Sequence, residues 1–188
     1  MQKKRLLIPI LVIFPIIFLD QFVKIWIKSH MYLGEEFNVV RDWFIIHFTE
    51  NNGFAFGFEF GGRSGKIILT AFRIVAAGLI GYYMVILMKK EVPKGFIVAV
   101  SLIFVGAVGN ILDSIFYGVI FHYDTLFHGR VVDMLYFPII NTHYPQWFPL
   151  VGGNEFIFFR PVFNISDSAI TVGVFSIILF YSKFLKKI

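Results

Sequence analysis

Apolar residues run so long, broken by so few charges, that the chain divides into four stretches, about residues 6–27, 67–88, 95–117 and 165–184. Each is long enough to form a helix of the ~20 residues needed to cross a bilayer core. The segments between them follow a different pattern. Residues 37–48 (FNVVRDWFIIHF) and 54–60 (FAFGFEF) are rich in β-branched and aromatic residues and flank the turn-forming Asn51, Asn52 and Gly53, a pattern that predicts a small sheet or hairpin. Residues 118–164 form a second long connection, in which Tyr144, Trp147, Phe148, Phe156, Phe158 and Phe159 suit a membrane–water interface. No internal repeat is visible.

Composition supports the membrane reading. Of 188 residues, 57% are hydrophobic and only 15% charged, and 25 are Phe, which leaves too little polar surface to enclose a water-soluble core. Mean hydropathy is +0.76. The chain has no cysteine, which excludes disulfides, thiol nucleophiles and thiolate zinc sites.

The net charge of +5 does not form a nucleic-acid-binding patch, because the basic residues sit at the ends of the apolar runs. Lys3, Lys4 and Arg5 precede the first run, Lys89, Lys90 and Lys94 lie between the second and third, and Lys183, Lys186 and Lys187 follow the fourth. By the excess of cations on the cytoplasmic side, both termini are expected inside, with segments 28–66 and 118–164 outside. Met1 to Leu19 resembles a signal peptide, but Asp20 and Lys24 stand where a cleavage site would be, so an uncleaved first helix is expected. The expected fold is thus an all-α integral membrane protein. It comprises a single domain over residues 1–188, with four transmembrane helices, a small outward-facing β-sheet and an extended extracytoplasmic loop.

Ionisable groups inside spans cost ~2.5–3.5 kcal/mol each on insertion scales, so their positions carry information. Asp20 and Lys24 lie four apart in the first span, Arg73 lies in the second, Asn110 and Asp113 in the third, and Asn164 and Asp167 open the fourth. With the orientation above, all fall toward the outer side. Asp20 and Lys24 fit a self-satisfying i,i+4 pair with the lysine snorkelling outward, and Arg73 fits a counter-ion or lipid-phosphate contact. Gly106, Asn110 and Asp113 share a helical face suited to interhelical packing. Asn164 and Asp167 fit a capping box, and Asp133, in GRVVDMLYF, fits a loop carboxylate in an unusually apolar setting.

Two neighbouring carboxylates that share a proton can hydrolyse a peptide bond without cysteine, serine or metal. Asp133, Asp167, Asp113 and Asp20 are all possible members of such a pair, and spacing alone does not choose among them. Other hydrolytic chemistries have less support: Gly62-Arg63-Ser64-Gly65 precedes a span with no histidine inside any span, and His122 and His128 lack the spacing of a zinc helix.

Five segments in order, DQFVK (20–24), ENNGFAFG (50–57), GNILDS (109–114), GRVVDMLYF (129–137) and FNISDSAI (163–170), resemble the successive motifs of the lipoprotein signal peptidase (signal peptidase II) family. The resemblance implies a bacterial inner-membrane aspartic endopeptidase, without metal or cofactor. It would remove signal peptides from diacylglyceryl-modified prolipoproteins on the amino side of the lipidated cysteine. It places the catalytic aspartates at Asp133 and Asp167, and supporting or substrate-binding roles at Asp20, Lys24, Asn51, Gly53, Asn110, Asp113 and Asn164. Many members have Arg after the third-span aspartate, where this chain has Ser114, so Arg73 or Arg130 would supply that charge. Ser166 replaces a common Ala, and residues 138–162 are longer than in compact members and could form a lid. The aromatic segments 54–60 and 144–159 would hold substrate and acyl chains. A monomer in contact with membrane lipid, with no nucleic-acid partner, is expected. The rival readings are a proton-coupled carrier with an Asp20, Asp113 and Asp167 relay, and a non-enzymatic membrane scaffold.

Overall fold

The computed structural model describes residues 2–53 and 62–185. Among the described residues four helices are long and apolar enough to cross a membrane. They are α1 (Gln2–His30), α2 (Gly62–Lys89), α3 (Lys94–Ile120) and the run made of α4 (Ile165–Ser176), a π-helical turn (Ile177–Tyr181) and the short α5 (Ser182–Leu185). Their outer faces carry bare apolar side chains such as Leu11, Phe14, Phe18, Ile68, Phe72 and Leu179. Such a belt would drive aggregation in water and matches a hydrocarbon solvent.

α3 is the central helix and packs against α1, α2 and α4. Its small residues allow a close approach to α4: a Cβ at Gly106 would overlap the Ser166 carbonyl and crowd Ile170. At the end away from the sheet, Met84, Leu87, Val92, Phe96, Ile97 and Val100 form one apolar core. There Arg5 donates to the Lys90 carbonyl in the α2–α3 connection, bringing two of the basic helix ends together.

At the opposite end lies a four-stranded antiparallel sheet ordered β1 (Glu36–Val40), β2 (Phe44–Asn51), β3 (Val131–Tyr136) and β6 (Val162–Phe163). A second core, of Ile27, Met31, Phe48, Tyr117, Val132 and Met134, ties it to α1 and α3. A small sheet, one of the two arrangements expected around Asn51 to Gly53, is present, and within it residues 37–48 do not form one strand but turn back at Arg41, whose φ of 46° closes the β1–β2 connection. β2 then pairs with the distant β3. Residues 54–60 lie outside the described residues. The connection expected as an extended loop also contains regular structure, a two-stranded hairpin of β4 (Ile140–His143) and β5 (Glu155–Phe158).

Close α3–α4 packing makes Gly106 a sensitive position. Gly106→Ala is expected to cost about 1–3 kcal/mol through overpacking, read as a lower thermal midpoint in detergent. Gly78→Ala, whose added methyl meets nothing within 4 Å, should leave the midpoint unchanged or raise it.

Candidate active site

Lys24 is completely buried, and its ammonium is enclosed by oxygens from two helices. It pairs with Asp20 Oδ2 at 2.9 Å and Asp113 Oδ2 at 2.8 Å, and donates to Asn110 Oδ1 at 3.0 Å. The expectation of an outward-snorkelling lysine is therefore corrected. At this depth the side chain gains more from three fixed oxygens than from the long reach to water. Gln21 closes the same cluster, donating to Asp113 Oδ1 at 2.9 Å and Asp20 Oδ2 at 3.1 Å while accepting from the Tyr117 hydroxyl at 3.2 Å. Asp20 also accepts the Ser166 backbone N–H at 2.9 Å, which fixes the start of α4 against α1.

From this cluster, asparagines pass the order outward. Asn110 donates from Nδ2 to Asp167 Oδ1 at 2.7 Å. Asn164, fully buried, donates to Asn110 Oδ1 at 3.1 Å, to the Val132 carbonyl at 3.3 Å and to Asp133 Oδ1 at 2.7 Å. The capping box forms: Asp167 N–H donates to Asn164 Oδ1 at 2.9 Å, and Asn164 N–H to Asp167 Oδ2 at 3.4 Å. One side chain, Asn164, thereby caps α4 and orients a carboxylate on β3.

Asp133 is not the solvated loop carboxylate its position first suggests. It is buried in β3 opposite Thr49 of β2, on the face away from Val132 and Met134, which enter the core. Its other oxygen accepts from Asn51 Nδ2 at 3.4 Å. Burial, and then the charge of Asp167, push its carboxyl up to about 7, against the opposing effect of the Asn164 hydrogen bond. Among the described residues neither Asp133 nor Asp167 forms a salt bridge, whereas Asp20 and Asp113 are both committed to Lys24.

The Asn51 to Gly53 turn borders this pair. Gly53 N–H donates to Asn51 Oδ1 at 2.7 Å, its φ is +95°, and its carbonyl accepts from Arg73 at 2.7 Å. A Cβ there would lie 2.8 Å from an Arg73 nitrogen, so glycine is required on both counts. Arg73 acts electrostatically on Asp167, Asp133 and Asp113. Arg130 lies farther out, paired at 3.1 Å with Glu50, which also holds Lys28. Among the described residues no group of three or more His, Asp or Glu is placed to hold a metal ion.

A family model described as signal peptidase (SPase) II matches residues 12–183. The chain belongs to the signal peptidase II family. It is 47% identical to the lipoprotein signal peptidase of Porphyromonas gingivalis, over 87% of this chain and 78% of that one. Identity to the lipoprotein signal peptidase of Amoebophilus asiaticus is 38%, over 86% and 72%. A bacterial membrane enzyme solved by the in meso method at 2.3 Å resolution superposes with a TM-score of 0.64 at 28% identity, covering 93% of this chain and 87% of its own. Membership of the signal peptidase II family makes this a bacterial membrane peptidase.

Gln21 and Tyr117 were not legible as site residues, because a search for charges inside spans passes over neutral side chains. The available signal was periodicity: Asn110, Asp113 and Tyr117 recur at helical spacing, and Gln21 adjoins Asp20. Lys24→Met would leave two buried carboxylates without their cation, and should cost about 3–5 kcal/mol. A double variant, Lys24→Met with Asp113→Asn, should recover part of the lost thermal midpoint.

Proposed function

We propose that the chain is an aspartic endopeptidase that removes signal peptides from diacylglyceryl-modified prolipoproteins, cutting on the amino side of the lipidated cysteine. The observation that carries this reading is a pair of carboxylates from different elements, Asp133 on β3 and Asp167 on α4. Asn164 contacts both, and among the described residues neither carboxylate is neutralised by a salt bridge.

Their environments differ in a useful way. Asp133 lies in an apolar strand that raises its proton affinity, with its carboxyl near pH 7. Asp167 lies in the first turn of α4, where its carboxylate accepts from the Asn164 N–H and the Asn110 amide. Asp167 takes a proton from a water molecule as the water oxygen bonds to the peptide carbonyl carbon. Asp133 donates its proton to the carbonyl oxygen, which gives a neutral tetrahedral diol. Collapse of the diol breaks the C–N bond, with the proton held by Asp167 passing to the departing amine and the hydroxyl proton returning to Asp133. No covalent enzyme intermediate forms. Arg73 is the cation whose field reaches both carboxylates, and Gly53 holds it in place.

Topology agrees with this assignment. Lys89, Lys90 and Lys94 mark one end of the bundle and the sheet marks the other, so the cation rule puts both termini in the cytoplasm and the carboxylates toward the outer face of the bacterial inner membrane. A cysteine with two acyl chains stays at the outer leaflet surface, level with groups at that depth. Residues 144–159 supply an aromatic segment suited to contact the substrate or its acyl chains. The enzyme is taken to act as a monomer, without metal or cofactor.

Incubation of purified protein with a diacylglyceryl-modified lipobox peptide tests the reading. Asp133→Asn and Asp167→Asn, each checked for folding, should each lower kcat by at least about a hundredfold. Full activity in either folded variant would overturn the pair. A second expectation follows from the Asp133 carboxyl: it holds the donated proton below pH 7 and loses it above, so kcat/KM should fall as pH rises through about 7. The same raised value means the folded state binds the extra proton. Folding stability should therefore decline between the ordinary carboxylate range near ~4 and about 7, and level off above. A rate that stays constant to pH 9 would contradict the assignment of Asp133 as the acid.

A further inference from the structure

A cavity of about 250 Å³ opens beside the N-terminal end of α2, lined among others by Asn52, Arg63, Lys66, Asp124, His128 and Arg130. The proposed peptide chemistry uses neither Arg63 nor Lys66. Arg63 reaches Asp124 Oδ1 at 2.7 Å, and Arg130 reaches Glu50, which Lys28 already contacts. Among the described residues three cations, Arg63, Lys66 and Arg130, thus line the cavity with one carboxylate, Asp124, and Glu50 lies beside it, paired to Arg130 and Lys28.

Lys66 makes this excess unusual. It is only 6% exposed, and its ammonium reaches the Asn52 carbonyl at 3.3 Å and the Asn52 side-chain oxygen at 3.5 Å. Among the described residues it has no carboxylate at ion-pair distance. A buried ammonium that, among the described residues, has neutral hydrogen-bond acceptors and carboxylates only beyond ion-pair distance is poorly compensated, and an anion entering the cavity would correct that. The first N–H groups of α2, a helix of 28 residues, face the same region and add to the attraction for an anion. Beside the cavity, the adjoining turns of α2 and α3 expose Ile67, Ile68, Phe116 and Ile120, and the rim exposes Leu126 and Phe127. An anion seated here would therefore have apolar helix faces running away from it into the membrane.

We propose that this cavity holds the phosphate-bearing headgroup of an anionic phospholipid, with its acyl chains along α2 and α3. A lipid is favoured over a free phosphate because the cation cluster and the bare apolar faces adjoin. The proposal rests on the membrane-spanning reading and not on the peptidase mechanism.

Protein reconstituted into nanodiscs containing equal phosphatidylglycerol and phosphatidylcholine, then released for native mass spectrometry, reports which lipid is retained. Wild type should keep phosphatidylglycerol in preference to phosphatidylcholine. Lys66→Gln, and independently Arg63→Gln at the exposed rim, should each reduce that retention about fivefold. Asp133→Asn, whatever its peptidase activity, should retain the lipid as wild type does. Equal retention of both lipids, or phosphatidylglycerol retention unaffected by Arg63→Gln, would overturn the proposal. Displacement of the lipid by millimolar inorganic phosphate would assign the site to free phosphate instead, and loss of lipid in folded Asp133→Asn would tie binding to the peptidase site; either result would overturn it.

Discussion

A lysine ammonium inside a membrane bundle is tolerated only if protein oxygens replace its water, and Lys24 meets that condition with Asp20, Asp113 and Asn110. The cost of leaving any of these groups alone forces α1 and α3 into a single rotation and depth. Gln21 strengthens the constraint by spanning both carboxylates, and the Ser166 N–H bond to Asp20 brings α4 into the same register. The fixed Asn110 then has one oxygen facing Lys24 and Asn164 and one amide facing Asp167. The placement of the two unpaired carboxylates is a consequence of the paired ones.

β3 carries a conflict between local and global preference. VVDMLY is a strand by pattern, yet its third residue is an acid buried at 3% exposure. Burial, and then the charge of Asp167, disfavour the ionised form of Asp133, and its elevated proton affinity, up to about 7, expresses that destabilisation. The neighbouring strand compensates only partly, through Asn51, while Asn164 supplies the shorter bond. A group held in this condition exchanges a proton near neutrality, which an exposed aspartate does not. Under the proposed mechanism, stability is given up at the position where proton transfer is wanted.

Much of this was legible in the chain. The four apolar runs, the capping residues Asn164 and Asp167 and the cluster of polar residues in the spans follow from helical length and the expense of charge in hydrocarbon. Strand pairing was less accessible. The aromatic and β-branched pattern of residues 37–48 marks β structure but not the turn at Arg41, which needs a left-handed backbone at a residue that does not advertise it. The pairing of β2 with β3 spans the whole of α2 and α3, so no local signal announces it. Spacing also left four aspartates equivalent. Three-dimensional contacts divide them into two kinds: Asp20 and Asp113 pair with Lys24, whereas among the described residues Asp133 and Asp167 form no salt bridge.

Ser114 shows how a departure from a family pattern can be accommodated. At this position, where the family resemblance implies an arginine, its hydroxyl donates to the Asn110 carbonyl of its own helix at 2.9 Å, and the side chain is buried. That bond is compatible with Asn110 keeping its side chain for Asp167 and Asn164, since it uses only the backbone oxygen. α2 adds positive charge to that of Lys24 here: Arg73 donates to the Gly53 carbonyl, and its field reaches Asp167, Asp133 and Asp113. This arrangement demands that residue 53 lack a side chain, because a Cβ would meet the guanidinium at 2.8 Å in a backbone conformation that already favours glycine. Gly53 and Arg73 are therefore one device. The turn positions the cation as the cation pins the turn, so Asn51, two residues earlier, reaches Asp133 from a fixed base.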